Sequence, residues 1–360
     1  MAGAEPTRRP AAGAEPTRCP AGARPDLAER VRAGDQRAVA RAITLIERTD
    51  PRVPDLLATL YPAAGRAAVV GVTGPAGSGK STLVSRLAGH ARKRGHTVGV
   101  IAIDPSSTFS GGALLGDRIR MLDLAGDSGV FVRSMATRGA VGGLTRAAAD
   151  AVTVLDASGI DVVFLETVGV GQAEVDVMSM AHTVLVVSVP GLGDGVQALK
   201  AGLLEIADVH VVNKADRDGA HQTAKELLEM LRLRRRSAGG WNTPVQLTTA
   251  AQDDGVDELL DQLDKHRAWM REHGELERRN RASALARVRW AAADLAERRV
   301  GASSPERADP QLRAVVDKVL AHDLDPLTAA AQLLDRTSEG RASEGRVAEG
   351  RDATQPNGAP

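Results

Sequence analysis

Aromatic side chains are scarce in this chain: three Trp, one Tyr and three Phe make up 2% of its 360 residues. Stacking platforms for single-stranded nucleic acid are therefore not expected. Nor is there an excess of positive charge, because 46 Lys and Arg are matched by 46 Asp and Glu. Bulk capture of DNA or RNA needs such an excess to neutralise phosphates, so a nucleic-acid partner is excluded. A local cradle for one nucleotide is not. Cys19 is the single cysteine, which rules out an internal disulfide scaffold. No apolar run approaches the roughly 20 residues of a membrane span. The N-terminus lacks the apolar core of a signal peptide. The expectation is a soluble, cytoplasmic protein with no membrane partner.

What is present divides into five stretches. Residues 1–25 are mostly Ala, Gly, Pro and charge, and the heptapeptide at 2–8 recurs at 12–18. Residues 338–360 repeat SEGR and AEGR before TQPNGAP. Both read as disordered tails, because such compositions bury too little apolar surface to offset chain entropy. Residues 26–64 read as an N-terminal helical arm, with Gly34-Asp35 as a break, and residues 273–337 as a C-terminal helical arm interrupted near Pro326.

Between the arms, residues 65–272 alternate in pattern. Apolar, β-branched runs occur at Ala67–Val72, Val98–Ile103, Val130–Arg133, Asp161–Leu165, Val184–Val189, Val209–Val212 and Val245–Leu247. Ser81–Arg94, Thr145–Leu155 and Ala220–Arg234 carry helical periodicity. Strands apolar on both faces, separated by helices, indicate an α/β fold with a mostly parallel sheet.

The sharpest motif is Gly74-Pro75-Ala76-Gly77-Ser78-Gly79-Lys80-Ser81, which fits the phosphate-loop pattern G-x-x-x-x-G-K-[ST]. It lies between the strand AAVVGVT and an amphipathic helix, as the pattern requires. Glycines let backbone N–H groups curl around a phosphate, and the helix N-terminus adds partial positive charge. Lys80 is expected to reach the β/γ-phosphates and the Ser81 hydroxyl to ligate Mg²⁺.

Asn213-Lys214-Ala215-Asp216 follows the strand VHVV, at the carboxyl edge where open α/β sheets bind ligands. A carboxylate at Asp216 accepts both N1–H and the exocyclic amine of guanine, whereas adenine has no donor at N1. A buried carboxylate left unpaired penalises the wrong base. The four-residue pattern alone also suits an ordinary polar loop; its position downstream of a phosphate loop favours guanine. Thr249-Ala250-Ala251, after the next strand, suits the backbone N–H that meets the guanine oxygen.

Candidate Mg²⁺ ligands besides Ser81 are Asp104, ending GVIAID, Asp117 in GDR, and Glu166, ending VVFLE. Mg²⁺ favours oxygen donors and keeps several waters. An exposed loop carboxylate is commonly just solvated, but Asp104 and Glu166 end buried strands beside the phosphate loop. Glu166-x-x-Gly169 stands where small GTPases carry Asp-x-x-Gly. That departure points to another branch of the phosphate-loop NTPases. The eight histidines show no metal-ligand spacing.

Taken in order, IAIDPSS, GDRIRM, TRGAVGG, ETVGVGQAEVDV, PGLGDGVQALKAG and NKAD resemble the MeaB/ArgK GTPases, chaperones of adenosylcobalamin-dependent acyl-CoA mutases of the methylmalonyl-CoA type. The resemblance covers about residues 26–336. It implies a SIMIBI-like G domain that binds GTP or GDP through Gly74–Thr82, Asp216 and Thr249–Ala251. Ser81, Asp104, Asp117 and Glu166 would manage Mg²⁺ and the attacking water. Lys200, in the Pro190–Lys200 segment, would steady charge on the transferred phosphoryl group once the mutase docks. The arms are similar to those the family uses for homodimerisation. Arg133 and Arg138 lie near this switch region, with either phosphate or the mutase as a possible contact. Two other assignments stay open: a nickel-insertion GTPase, and a kinase of a transport-associated binding protein.

Overall fold

A computed structural model describes residues 26–104, 126–136, 143–167, 178–191, 204–233, 240–300 and 310–334. Both tails, Asp117, Arg138 and Lys200 lie outside these residues.

Among the described residues seven strands form one sheet: β1 Ala68–Thr73, β2 Val98–Asp104, β3 Val130–Ala136, β4 Val162–Thr167, β5 Thr183–Ser188, β6 Val209–Asn213 and β7 Val245–Thr248. Their order is β3-β2-β4-β1-β5-β6-β7, and every pairing is parallel. Each of the seven apolar runs read from the sequence is one strand; six extend one to three residues further at the carboxyl end, and the run Val184–Val189 is shifted one residue toward the N-terminus, to Thr183–Ser188. The chain goes to one side of β1 for β2 and β3, and to the other for β5, β6 and β7. The turn after β1 therefore opens at a topological switch point.

The helices are α1 Leu27–Arg32, α2 Gln36–Glu47, α3 Val53–Leu60, α4 Lys80–Lys93, α5 Gly143–Ala157, α6 Ala220–Leu233, α7 Val256–Glu272, α8 Glu275–Val300 and α9 Pro310–Leu320. A further helical stretch spans residues 326–334. Side chains alternate across the sheet with the period of two that strands impose. Val69, Val163 and Leu165 enter a core shared with α1, α2, α3, α5 and α6. Ala68, Val70, Val162 and Phe164 enter a second core against α4 and α7.

The N-terminal helices share the first core. Asp26 caps α1, its Oδ1 accepting from the Leu27 N–H at 2.6 Å. Asp35 caps α2 by accepting from Arg37 and Ala38 N–H, and Gly34 turns the chain between them with φ 76°. A side-chain oxygen at this position takes up N–H groups that a helix start leaves without partners. Asp156 on α5 accepts the N–H groups of Gly65, Arg66 and Ala67 at 2.6–3.1 Å, which sets the entry to β1.

On the C-terminal side, Gly274 (φ 68°) breaks a long helical pattern into α7 and α8. Arg279 of α8 grips Asp208, just before β6, through two bonds of 2.6 and 2.8 Å. It also donates to the His182 carbonyl at 2.8 Å.

Candidate nucleotide site

The phosphate loop leaves β1 at Thr73 and enters α4 at Lys80. Its shape requires glycine at two points. A Cβ on Gly74 (φ 146°) would stand 2.2 Å from the Val187 carbonyl oxygen, and one on Gly79 (φ 88°) 2.4 Å from Asn213 Nδ2. Gly79 caps α4 without any side-chain bond, so the loop curls around an uncapped helix start, the partial positive charge that favours an anion.

Lys80 is 5% exposed. Its Nζ donates to the carbonyls of Gly74 at 2.8 Å and Pro75 at 2.9 Å. The ammonium thus lies folded across the loop that it follows in sequence. Ser81 Oγ donates to Glu166 Oε1 at 2.5 Å. Register explains the meeting: Glu166 pairs with Val72 of β1 and Ala102 of β2, which places it between the ends of both strands. Glu166 is 5% exposed. Beside it, Thr167 Oγ1 bonds Thr73 Oγ1 at 3.2 Å. A hydroxyl and a carboxylate at the foot of the loop make an all-oxygen donor pair, which suits Mg²⁺. Asp104 ends β2 two positions beyond Ala102, on the same carboxyl edge.

Asn213 closes β6 and braces the site. Its Nδ2 donates to the Ser78 carbonyl at 2.9 Å. Its Oδ1 accepts from Thr248 Oγ1 at 3.2 Å and from Ala250 N–H at 3.1 Å. One buried amide therefore joins the phosphate loop to the turn after β7. Lys214, with φ 58°, donates from Nζ to the Gly77 carbonyl at 2.8 Å. Asp216 sits exposed on the turn that follows, anchored by the Ala215 N–H to the Thr248 carbonyl at 3.0 Å.

The turn after β7 is a short 3₁₀ segment, Ala250–Gln252. Thr249 N–H donates to the Asp254 carbonyl at 3.0 Å, and Ala250 N–H is held by Asn213. Ala251, exposed, follows them. The three elements read from the sequence thus converge on one edge: phosphate loop, Asn213–Asp216, and Thr249–Ala251. Thr248 was not singled out there. Its hydroxyl matters only because it faces Asn213, across 35 positions in the chain, and no local pattern marks it.

Arg133 goes elsewhere. Its guanidinium pairs with Glu47 and donates to Thr44 Oγ1 at 3.2 Å, fastening α2 to β3. Among the described residues it serves the N-terminal helices and touches no part of the phosphate loop.

A family model described as methylmalonyl Co-A mutase-associated GTPase MeaB matches residues 39–304. A putative GTPase of Pyrococcus horikoshii is 47% identical over 313 residues, 86% of this chain and 97% of that protein. The methylmalonic aciduria type A homolog of mouse mitochondria is 34% identical over 263 residues, 68% of this chain and 63% of that protein. Among solved structures, one described as an LAO/AO transport system kinase superposes with TM-score 0.62 and 26% identity, covering 87% of this chain and 96% of that one.

Proposed function

This chain belongs to the MeaB family of methylmalonyl-CoA mutase-associated GTPases and is a GTPase; on that premise we propose that its hydrolytic cycle gates loading, protection or reactivation of the cofactor of an adenosylcobalamin-dependent acyl-CoA mutase. The family's description supports this, and so does the name of the mouse relative. The observation that carries the chemistry is the single polar edge on which Lys80, Ser81, Glu166 and Asn213 meet.

In this proposal Gly74–Thr82 wraps the triphosphate with backbone N–H groups. The Lys80 ammonium leaves the Gly74 and Pro75 carbonyls for the β/γ-phosphates. Asp216 accepts from guanine N1–H and its amine, while Asn213 and Lys214 keep the base side and phosphate side in register. The Thr249 and Ala250 N–H groups are already engaged, so Ala251 N–H is the donor to the guanine carbonyl. Ser81 and Glu166, with Asp104 on the same edge, would hold Mg²⁺, which supplies charge neutralisation on the phosphate oxygens. Asp117 and Lys200 keep the metal and phosphoryl-stabilising roles that the resemblance implies. Catalysis is then positioning plus electrostatic stabilisation of an in-line displacement.

We place the protein in the cytoplasm beside its client; no described helix is long and apolar enough to cross a membrane. A homodimer is proposed through α8, where Leu285, Val288 and Leu295 are 53%, 65% and 56% exposed at helical spacing.

The test is co-purification of the client. Pull-down with the full chain loaded with GDP, or with a non-hydrolysable GTP analogue, should retain an acyl-CoA mutase in one state more than in the other. Equal or absent retention in both states would end the chaperone proposal. The name of the superposing transport-system kinase favours a second reading, phosphorylation of a partner protein. Incubation with γ-labelled nucleotide separates the two, since label on protein supports the kinase and free phosphate supports the GTPase.

A further inference from the structure

His90 lies ten residues after Lys80 on α4, about 15 Å along the axis at 1.5 Å per residue. Both of its ring nitrogens meet carboxylates. Nε2 is 2.9 Å from Asp253 Oδ1, and Nδ1 is 3.1 Å from Asp257 Oδ1. Ionised carboxylates only accept, so the donor in each of these bonds is a ring N–H. The imidazole is largely covered, with its side chain 15% exposed. It bridges the end of the turn after β7 to the first turn of α7.

Asp253 is an unusual residue for its place. It ends the Ala250–Gln252 turn with φ 61° and ψ 25°, a left-handed conformation that glycine adopts without penalty. The strain is held by four bonds. Asp253 N–H reaches the Ala250 carbonyl at 3.3 Å, and Thr249 and Asp254 bond each other at 3.0 and 3.3 Å. The fourth is the His90 contact from outside the turn. Gly255, two residues on, has no latitude, because a Cβ there would stand 2.3 Å from the Leu247 carbonyl oxygen. Ala250 is buried against α4 in the second core. Arg94, one turn beyond His90, donates to Asp257 at 2.7 Å, fixing the second carboxylate.

We propose that His90 is a positioning residue for guanine recognition: by clamping Asp253 and Asp257 it sets the turn that presents the Ala251 N–H, and it ties that turn to the helix carrying Lys80. This rests on the guanine site proposed above. The helix that begins at the phosphates thereby also fixes the far end of the nucleotide, and base and phosphate affinity become properties of one rigid unit. His90 itself touches no nucleotide.

Calorimetry on the full chain with Mg²⁺ tests this, using GDP and inorganic tripolyphosphate as probes. His90→Ala should weaken GDP about tenfold, the scale of the lost charge-assisted bond to Asp253 in the base-side turn, while tripolyphosphate, which engages the phosphate loop alone, binds as before. KM for GTP should rise with kcat within about twofold. Asp253→Asn, which tolerates the left-handed backbone, should show the same pattern and guards against a His90 variant that fails to fold. The double variant should be no worse than His90→Ala alone, because the alanine already removes the contact that Asp253→Asn weakens. Unchanged GDP affinity, an equal loss of GDP and tripolyphosphate, or additive losses would overturn the proposal. If the unaltered protein takes up tripolyphosphate but not GDP, the guanine site falls first, and this inference with it.

Discussion

Ser81 Oγ and Glu166 Oε1 stand 2.5 Å apart, although 85 positions separate them in the chain. The bond joins the start of α4 to the end of β4. It places a carboxylate where the phosphate loop would meet Mg²⁺.

Glu166→Gln keeps the shape and removes the charge. Hydrolysis should fall by about a hundredfold or more, in line with loss of one preorganised electrostatic contact. GDP affinity without Mg²⁺ should stay near that of the unaltered protein, and the gain on adding Mg²⁺ should shrink. Phosphate-release assays and calorimetry with and without the metal check this. Unimpaired turnover would remove Glu166 from the metal site.

Asp216→Asn addresses base choice. The carboxylamide can donate to the carbonyl that xanthine carries at position 2, so preference should move from GTP toward xanthosine triphosphate by about a hundredfold. Competition between the two nucleotides measures it. Unaltered GTP selectivity would take Asp216 out of the site.

Lys80→Ala should abolish most hydrolysis and leave the fold intact. In this structure Nζ bonds two loop carbonyls, but loop shape is held by backbone geometry and by Asn213. The expected cost is about 1 kcal/mol, a shift of roughly 2–4 °C in Tm. Melting curves decide: a collapse of thermal stability would make Lys80 a structural residue.

His266 gives the protein a pH-dependent stability. Buried in α7, its Nδ1 meets Thr183 Oγ1 at 2.9 Å and its ring packs 4.8 Å from that of Trp241. Burial lowers its pKa from 6.5 to about 4. Asp208 Oδ1, 3.4 Å from Nε2, opposes this, but that carboxylate is already held by Arg279, whose own charge acts with burial. The folded protein therefore keeps the ring neutral where the unfolded chain takes up a proton. Stability from this group is complete above about pH 6.5 and is lost as pH falls toward 4, by about 3 kcal/mol across the window. Urea unfolding at pH 7.5, 6 and 5 should show the decline, and His266→Gln should flatten it. A slope unchanged in the variant would assign the effect to other groups.

The parallel sheet and the phosphate loop are legible in the amino-acid sequence alone. Strands such as β1, β4 and β6, buried on both faces, must be apolar throughout, and a loop that wraps phosphate must combine glycines with Lys80 and Ser81 in a fixed order. These are demands on neighbouring residues, so the order of amino acids by itself determined them, along with the Asn213–Asp216 motif and the break at Gly34-Asp35. Other features join residues far apart. That Arg133 fastens to Glu47, that Asn213 reaches both Ser78 and Ala250, and that His90 meets Asp253 across 163 positions was decided only when strand order and helix packing brought those segments together. A side chain's chemistry is local, but its partner depends on which strands lie side by side, and that is set by burial of the sheet as a whole.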